Sequence, residues 1–411
     1  MANEHKPLFN PLYLKLLIMI LPVLIIVLAS VGPEAGQYPS IHQSPARQLY
    51  WIEQPQSADN ELRLLLPAPL ALEPQQRILQ QTVAALLQER LQQPALQPLL
   101  APVQEARVSA LAGHLQIQLR WPAGLPAPAL HSALQALQQL PEPDQVHSTL
   151  ARIRAQAYLE GQDPAQRLLS RLLLQLQPGA SSPVSSASVL QQYHQLVTQP
   201  PILSLAGPDA TGLAEQLNAA EPDQADAATV AVQSLPQSGS HLGGQTLATP
   251  SARLHLSDAR LPSMYLLGAP TPGRKADDYA TELLAISSLQ QVLDRRPASA
   301  GGYRLVWQQS RDSGYRALIL DGQPARLPEV DGTLIETTRE QLLLGWRGRL
   351  QTVEGQRDQL ASLAFNGLAG QPLDSLIEQL QRVPGDDIGP RIEHYLSLED
   401  QILITLNGQS D

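Results

Sequence analysis

The sequence predicts an α+β protein of two related halves, each an antiparallel-rich sheet with packed helices, set behind an N-terminal transmembrane helix. Three observations predict it. Between residues 262 and 321 there follow in order an apolar run from Met264 to Leu267, a Pro/Gly turn at Pro270, Pro272 and Gly273, a helical segment over 280–295, and apolar runs at 303–307 and 315–320. A series of strand, helix, hairpin and helix also occupies 62–175. Ahead of both, the stretch from Leu12 to Val31 is apolar apart from Tyr13, Lys15 and Ser30. About twenty helical residues span about 30 Å, the thickness of a bilayer core.

Composition narrows the classes. A chain of 411 residues is long enough for two domains of ordinary size. With aromatics at 4% and Ala, Leu and Gln abundant, the core is aliphatic. The absence of cysteine excludes disulfides, thiolate zinc sites and cysteine nucleophiles. A net charge of -10 argues against a nucleic-acid surface.

Lys6 precedes the apolar run and Lys15 lies near its start, while Glu34 and no close basic residue follow it. The positive-inside rule then keeps the N-terminus in the cytoplasm and places the rest in the periplasm, as a single-pass inner-membrane protein. The competing reading is a signal peptide cleaved after Val27-Leu28-Ala29, which releases the chain to the periplasm. Residues 1–32 are thus tail and anchor, and 33–60, rich in Pro, Gln and Ser, read as a tether.

Residues 61–188 form the expected first domain. A strand over 62–66 ends at Pro67-Ala68-Pro69. Glu73-Pro74 starts a helix to Leu91 with Ile78, Leu79, Val83, Leu86, Leu87 and Leu91 at helical spacing. In a hairpin over 107–111 and 114–121, Leu115, Ile117, Leu119 and Trp121 alternate with His114, Gln116, Gln118 and Arg120, which predicts one buried and one wet face. Helices over 127–140 and 146–175 follow, the second interrupted at Gly161-Gln162-Asp163-Pro164. A Ser/Pro/Gly junction at 178–188 separates this domain from the second, 189–411. That domain begins with a helix over 189–197, the apolar passage 201–209 and a polar loop over 221–250. After the 262–321 stretch come one long helical region over 334–368, a helix over 373–383 and a strand over 401–406.

Over roughly residues 60–411, and better in the second half, this order resembles the insulinase/pitrilysin-type metallopeptidases, the inverted zincins. The resemblance is carried by Leu267-Gly268 with Pro272 four residues beyond the glycine, by a helix with Asp277 and Asp278 at its start, and by Arg296 with Tyr303 seven residues later. Ala300-Gly301-Gly302-Tyr303 stands where the family reads Gly-Leu-Ala-Tyr. The passage 201–209 is similar to the strand and turn that open the family's second half, and Gly385-Asp386-Asp387-Ile388 to its closing segment. The helix is shorter than the family's, and Pro297 replaces its Glu.

The family's catalysis needs H-x-x-E-H on one helix, two His holding zinc and the Glu activating water. The helix over 73–91 has no His, and Gln75, Gln76, Gln80, Gln81 and Gln88 fill its polar positions, which are poor zinc ligands. Glu393-His394 has Pro390 in place of the first His and lies in the wrong half. There is no G-x-S-x-G elbow or P-loop, and the nine His are scattered without ligand spacing. The resemblance therefore implies a degenerate, non-catalytic member with no metal or cofactor of its own, paired with a zinc-bearing homologue around a peptide chamber. It also implies that Arg296 and Tyr303 bind the substrate backbone and polarise the scissile carbonyl in that complex. The residues alone read as a helix C-terminal Arg296 and a strand-opening Tyr303. A second class, a stand-alone envelope scaffold or peptide-binding protein without a protease partner, fits the same features.

Overall fold

Alternation of side chains along strands and helical spacing between them build two sheets clad in helices. The computed structural model describes residues 38–111, 113–177, 183–219, 252–258, 261–296, 301–321, 331–398 and 401–408. All elements lie in the unit Ile41–Asp411. In chain order they begin with β1 (His42–Gln43), β2 (Leu49–Glu53), β3 (Asp59–Pro67), α1 (Pro74–Leu91), α2 (Gln97–Leu100), β4 (Glu105–Leu111) and β5 (His114–Pro122). Helices α3 (Leu130–Leu137), α4 (Pro143–Glu160), α5 (Pro164–Leu176) and α6 (Ser186–Thr198) lead to β6 (Ile202–Gly207) and α7 (Ala210–Ala219). The second series is β7 (Arg253–Ser257), β8 (Met264–Pro272), α8 (Tyr279–Asp294), β9 (Tyr303–Gln309) and β10 (Ser313–Asp321). It closes with α9 (Gly332–Leu350), α10 (Val353–Asn366), α11 (Ser375–Arg382), α12 (Ile388–Leu396) and β11 (Ile402–Asn407).

The first sheet has the order β1-β2-β6-β3-β5-β4 and the second β7-β11-β8-β10-β9. Leaving β1 aside, each sheet sets its first strand parallel to its last and all other neighbours antiparallel. The two halves therefore share one topology, a duplication that no residue repeat reveals.

Each sheet packs its own helices on one face and a helix of the other series on the opposite face. Leu64, Leu66, Leu115, Ile117 and Leu203 of the first sheet share a core with α1, α3, α4 and α6. Leu267, Leu318 and Leu320 of the second pack on α8, α9, α11 and α12. Its other face, with Leu266, Ala317 and Ile404, receives Leu168, Leu169, Leu172, Leu173 and Leu176 of α5. Burial contributes about 1.5–3 kcal/mol for each such leucine, so apolar burial holds α5 across the divide. The approach is close enough that a Cβ on Gly268 would stand 2.4 Å from a Leu172 methyl. In return α10 crosses to the first sheet, where Ala361 and Ala364 meet Leu65 and Ile202.

Several expectations are corrected. Residues 33–60 are not merely a tether, because β1 and β2 lie within them and Leu49 and Ile52 are fully buried. Trp51 Nε1 donates to Thr211 Oγ1 at 3.0 Å and Glu53 accepts from the Thr211 backbone N–H at 2.8 Å, tying β2 to α7. The passage 201–209 does not open the second half: β6 lies between β2 and β3 in the first sheet. A division at residues 188 and 189 therefore cuts the first sheet. The run from Met264 does not stop at Gly268, since β8 continues to Pro272. Beyond Gly268 only β10 pairs with it, so Pro270 forfeits no ladder bond on the β11 side. Instead of one helical region over 334–368 there are two helices, broken where Thr352 Oγ1 caps α10 by accepting from Gly355 N–H at 3.0 Å. Strand β7 was not expected from the sequence. Among the described residues no helix is long and apolar enough to cross a membrane. The stretch 12–31 and the whole of the 221–250 loop lie outside them.

Candidate functional site

Helix α1 is where the resemblance looks for zinc, and Gln75, Gln76, Gln80 and Gln88 are engaged with the surrounding backbone. Gln76 Oε1 accepts from the Glu73 N–H at 3.4 Å, and Gln75 Oε1 from the Val184 N–H at 3.4 Å. Gln80 donates to the Pro69 carbonyl. Gln88 donates to the Ala106 carbonyl at 3.0 Å and accepts from the Val108 N–H at 2.6 Å, closing the edge of β4. Carboxamides committed in this way do not fit a zinc site. Among the described residues no group of three or more His, Asp or Glu is placed to hold a metal ion.

Arg296 and Tyr303 sit beside the C-terminal end of α8. Arg296 follows the capping residue Arg295, its backbone N–H donating to the Leu293 carbonyl at 3.1 Å. Tyr303 opens β9, the edge strand of the second sheet. Its hydroxyl donates to Asp294 Oδ1 and accepts from Gln290 Nε2 at 2.7 Å. Desolvation, then the hydrogen bond and charge of Asp294, push the phenol up to about 12 against an opposing pull from the nearby Arg296. It is therefore a hydrogen-bond donor at neutral pH. Pro297 and Ala300, which lie between the two, are outside the described residues.

A polar centre that the sequence reading missed lies under α10. Glu61 on β3 is 1% exposed, and Arg63 and Arg357 are 5% and 4% exposed in their side chains. Glu61 Oε1 accepts from Arg63 Nε at 2.5 Å, and its Oε2 from Gln118 at 2.9 Å, Arg120 Nη2 at 2.7 Å and Arg357 Nη1 at 3.3 Å. Arg357 also donates to Gln54 Oε1 at 3.0 Å, and to Ser57 Oγ and the Asp59 carbonyl at 2.8 Å each. At the rim, Arg63 reaches Glu354 at 2.9 Å and Asp358 at 2.6 Å. Burial alone would raise the Glu61 pKa, but Arg63, Arg120, Gln118 and Arg357 outweigh it and hold the carboxyl below the usual range.

This network corrects the wet face expected for β5. Gln118 and Arg120 face α10 instead of open solvent, and His114 packs on Phe365 with ring centroids 3.9 Å apart. The available signal was Glu61 and Arg63 placed two apart in a leucine strand, on the same face as β5's polar alternation.

Two sheets of one topology with exchanged helices, and an α1 without His, define a degenerate insulinase-like fold, that of the M16-type peptidases. No protein-family model matches the sequence, and no curated protein does. Solved structures do match the fold. A putative M16-like peptidase from Alicyclobacillus acidocaldarius superposes with a TM-score of 0.60 at 12% identity, covering 90% of this chain and 98% of that one. The inactive domain of a peptidase M16 from Pseudomonas fluorescens gives 0.55 at 16% identity, covering 90% and 98%. A chain of complex III2 from Candida albicans gives 0.55 at 11% identity, covering 90% and 95%. At these identities the likeness is one of fold.

Proposed function

We propose that this chain is a non-catalytic M16-type subunit, anchored in the inner membrane, that pairs in the periplasm with a zinc-bearing homologue to enclose a peptide chamber. The observation that carries the reading is α1: the helix expected to bear H-x-x-E-H has no His, and Gln75, Gln76, Gln80 and Gln88 are bound to neighbouring backbone. An inactive M16 domain and a chain of a multi-subunit complex among the fold's neighbours support a role without chemistry of its own. In the complex, Arg296 and the protonated Tyr303, its O–H turned from Asp294 to the peptide, supply hydrogen bonds to the substrate. The partner supplies zinc, water and general base.

The test is purification in two ways. Isolated, the chain is expected to hold no stoichiometric zinc and to leave unstructured peptides uncut. Captured gently from membranes, it is expected to bring down a zinc peptidase. One tightly held zinc per isolated chain, with chelator-sensitive proteolysis, refutes the reading, and so does capture without any peptidase.

A further inference from the structure

The two exchanged helices form two seams between the halves, and the seams differ in kind. Under α5 the contact is apolar: Leu168, Leu169, Leu172, Leu173 and Leu176 lie on Leu266, Ala317, Ile319 and Ile404 of the second sheet. The ion pairs beside it, Arg167 with Asp258 and Arg304 with Asp163, stand at an exposed rim. Under α10 the first sheet meets charge and amide instead. Arg63 donates to Glu354 and Asp358, Arg120 to Glu354, and Arg357 to Glu61. Gln54 Nε2 donates to the Val353 carbonyl at 3.0 Å and to Gln356 Oε1 at 2.9 Å. The apolar part of this seam is small, with Ala361, Ala364 and Phe365 on Tyr50, Leu65 and Ile202.

The seams respond differently to water. Parting the α5 seam exposes leucines, and water offers nothing in return. Parting the α10 seam returns Glu61, Arg63 and Arg357 to water together and recovers the desolvation that burial costs them, which offsets much of the lost attraction. Glu354 and Asp358 are already about half exposed, so their pairs are screened and weak. Helix α10 is also tied to its own series, where Gln359 donates to the Leu373 carbonyl at 3.3 Å and Gln356 to the Leu350 carbonyl at 2.8 Å. We propose that α10 is a releasable latch: its seam with the first sheet parts short of global unfolding, while α5 stays seated as the pivot between the halves. Local openings take the contacts with least apolar burial, and one fixed contact beside one labile contact is the arrangement of a hinge. The latch is a property of this chain alone and is independent of the partnership with a zinc peptidase.

Because the chain has no cysteine, single introduced thiols report on each seam. Ser204→Cys is a near-isosteric change at a buried position of β6, opposite Arg63 on the face that α10 covers. Ala317→Cys sits at a fully buried position of β10, on the face that α5 covers. With the full-length chain in mild detergent, thiol labelling is followed at increasing urea, each variant being referred to its own global unfolding curve. Ser204→Cys is expected to label at least about a hundredfold faster than Ala317→Cys without denaturant, and with a urea slope well below that of global unfolding. Ala317→Cys is expected to show the full global slope. Ala361→Cys, on the helix side of the α10 seam, is expected to follow Ser204→Cys. Equal labelling of Ser204→Cys and Ala317→Cys, or a global slope at both Ser204→Cys and Ala361→Cys, overturns the latch. Faster labelling of Ala317→Cys overturns it too, because α5 is then the labile seam.

Discussion

Replacing Glu61 with glutamine is expected to lower the unfolding free energy by about 3–5 kcal/mol, the scale of breaking a buried ion pair by removing one partner. The carboxylate is the buried anion to which Arg63, Arg120 and Arg357 all converge. Glu354 and Asp358 are about half exposed, so water screens much of the compensation they offer. Without the charge of Glu61, the Arg63 and Arg357 guanidiniums repel each other in a site nearly closed to solvent. Arg357→Met is expected to lose less, because Glu61 gives up one donor but keeps two cationic partners, while Gln54, Ser57 and the Asp59 carbonyl each lose a donor. Urea midpoints for the two variants check this, and a Glu61→Gln midpoint equal to wild type refutes any stabilising role for the network. The pH dependence has a definite sign. Since folding lowers the Glu61 pKa from 4.5, its contribution is present above that value and is lost as pH falls through the folded pKa. Wild type is expected to lose this increment below about pH 4.5 and Glu61→Gln to lack it at every pH.

Tyr303→Phe is expected to slow peptide cleavage by the reconstituted pair about a hundred- to a thousandfold, as removal of a transition-state hydrogen-bond donor does in a dry site. The fold is expected to survive, because the hydroxyl's bonds to Asp294 and Gln290 lie at a partly exposed sheet edge. Each lost bond subtracts about 0.5–1.5 kcal/mol. Arg296→Ala is expected to slow turnover as well. The double variant should fall short of the combined losses if both side chains bind one substrate segment. Unchanged turnover in Tyr303→Phe, with the complex intact, makes Tyr303 a strand-opening residue and the chain a purely architectural subunit.

What was legible in the sequence follows from how local each signal is. Helices α1 and α8 show in the spacing of their apolar residues and in Pro74 and the Asp277-Asp278 start, because a helix makes its hydrogen bonds within its own segment. The empty metal motif of α1 was equally plain, since H-x-x-E-H is a local pattern. Strand β2 was hidden: five residues among Gln and Pro become a strand only by pairing with β6, about 150 positions away. The same non-local pairing moved β6 into the first sheet.

Most of the alternation of strands and helices, the lack of H-x-x-E-H and the aliphatic core are properties of neighbouring residues and could be read from them. Only the tertiary structure decided which sheet each strand joins, and it did so through backbone bonds between distant segments. It alone decided that α5 and α10 trade places, through Leu172 against Gly268 and Arg357 against Glu61. That exchange turns the polar side of β3 and β5 into a buried ion network, because a strand's second face becomes wet or dry according to what packs on it.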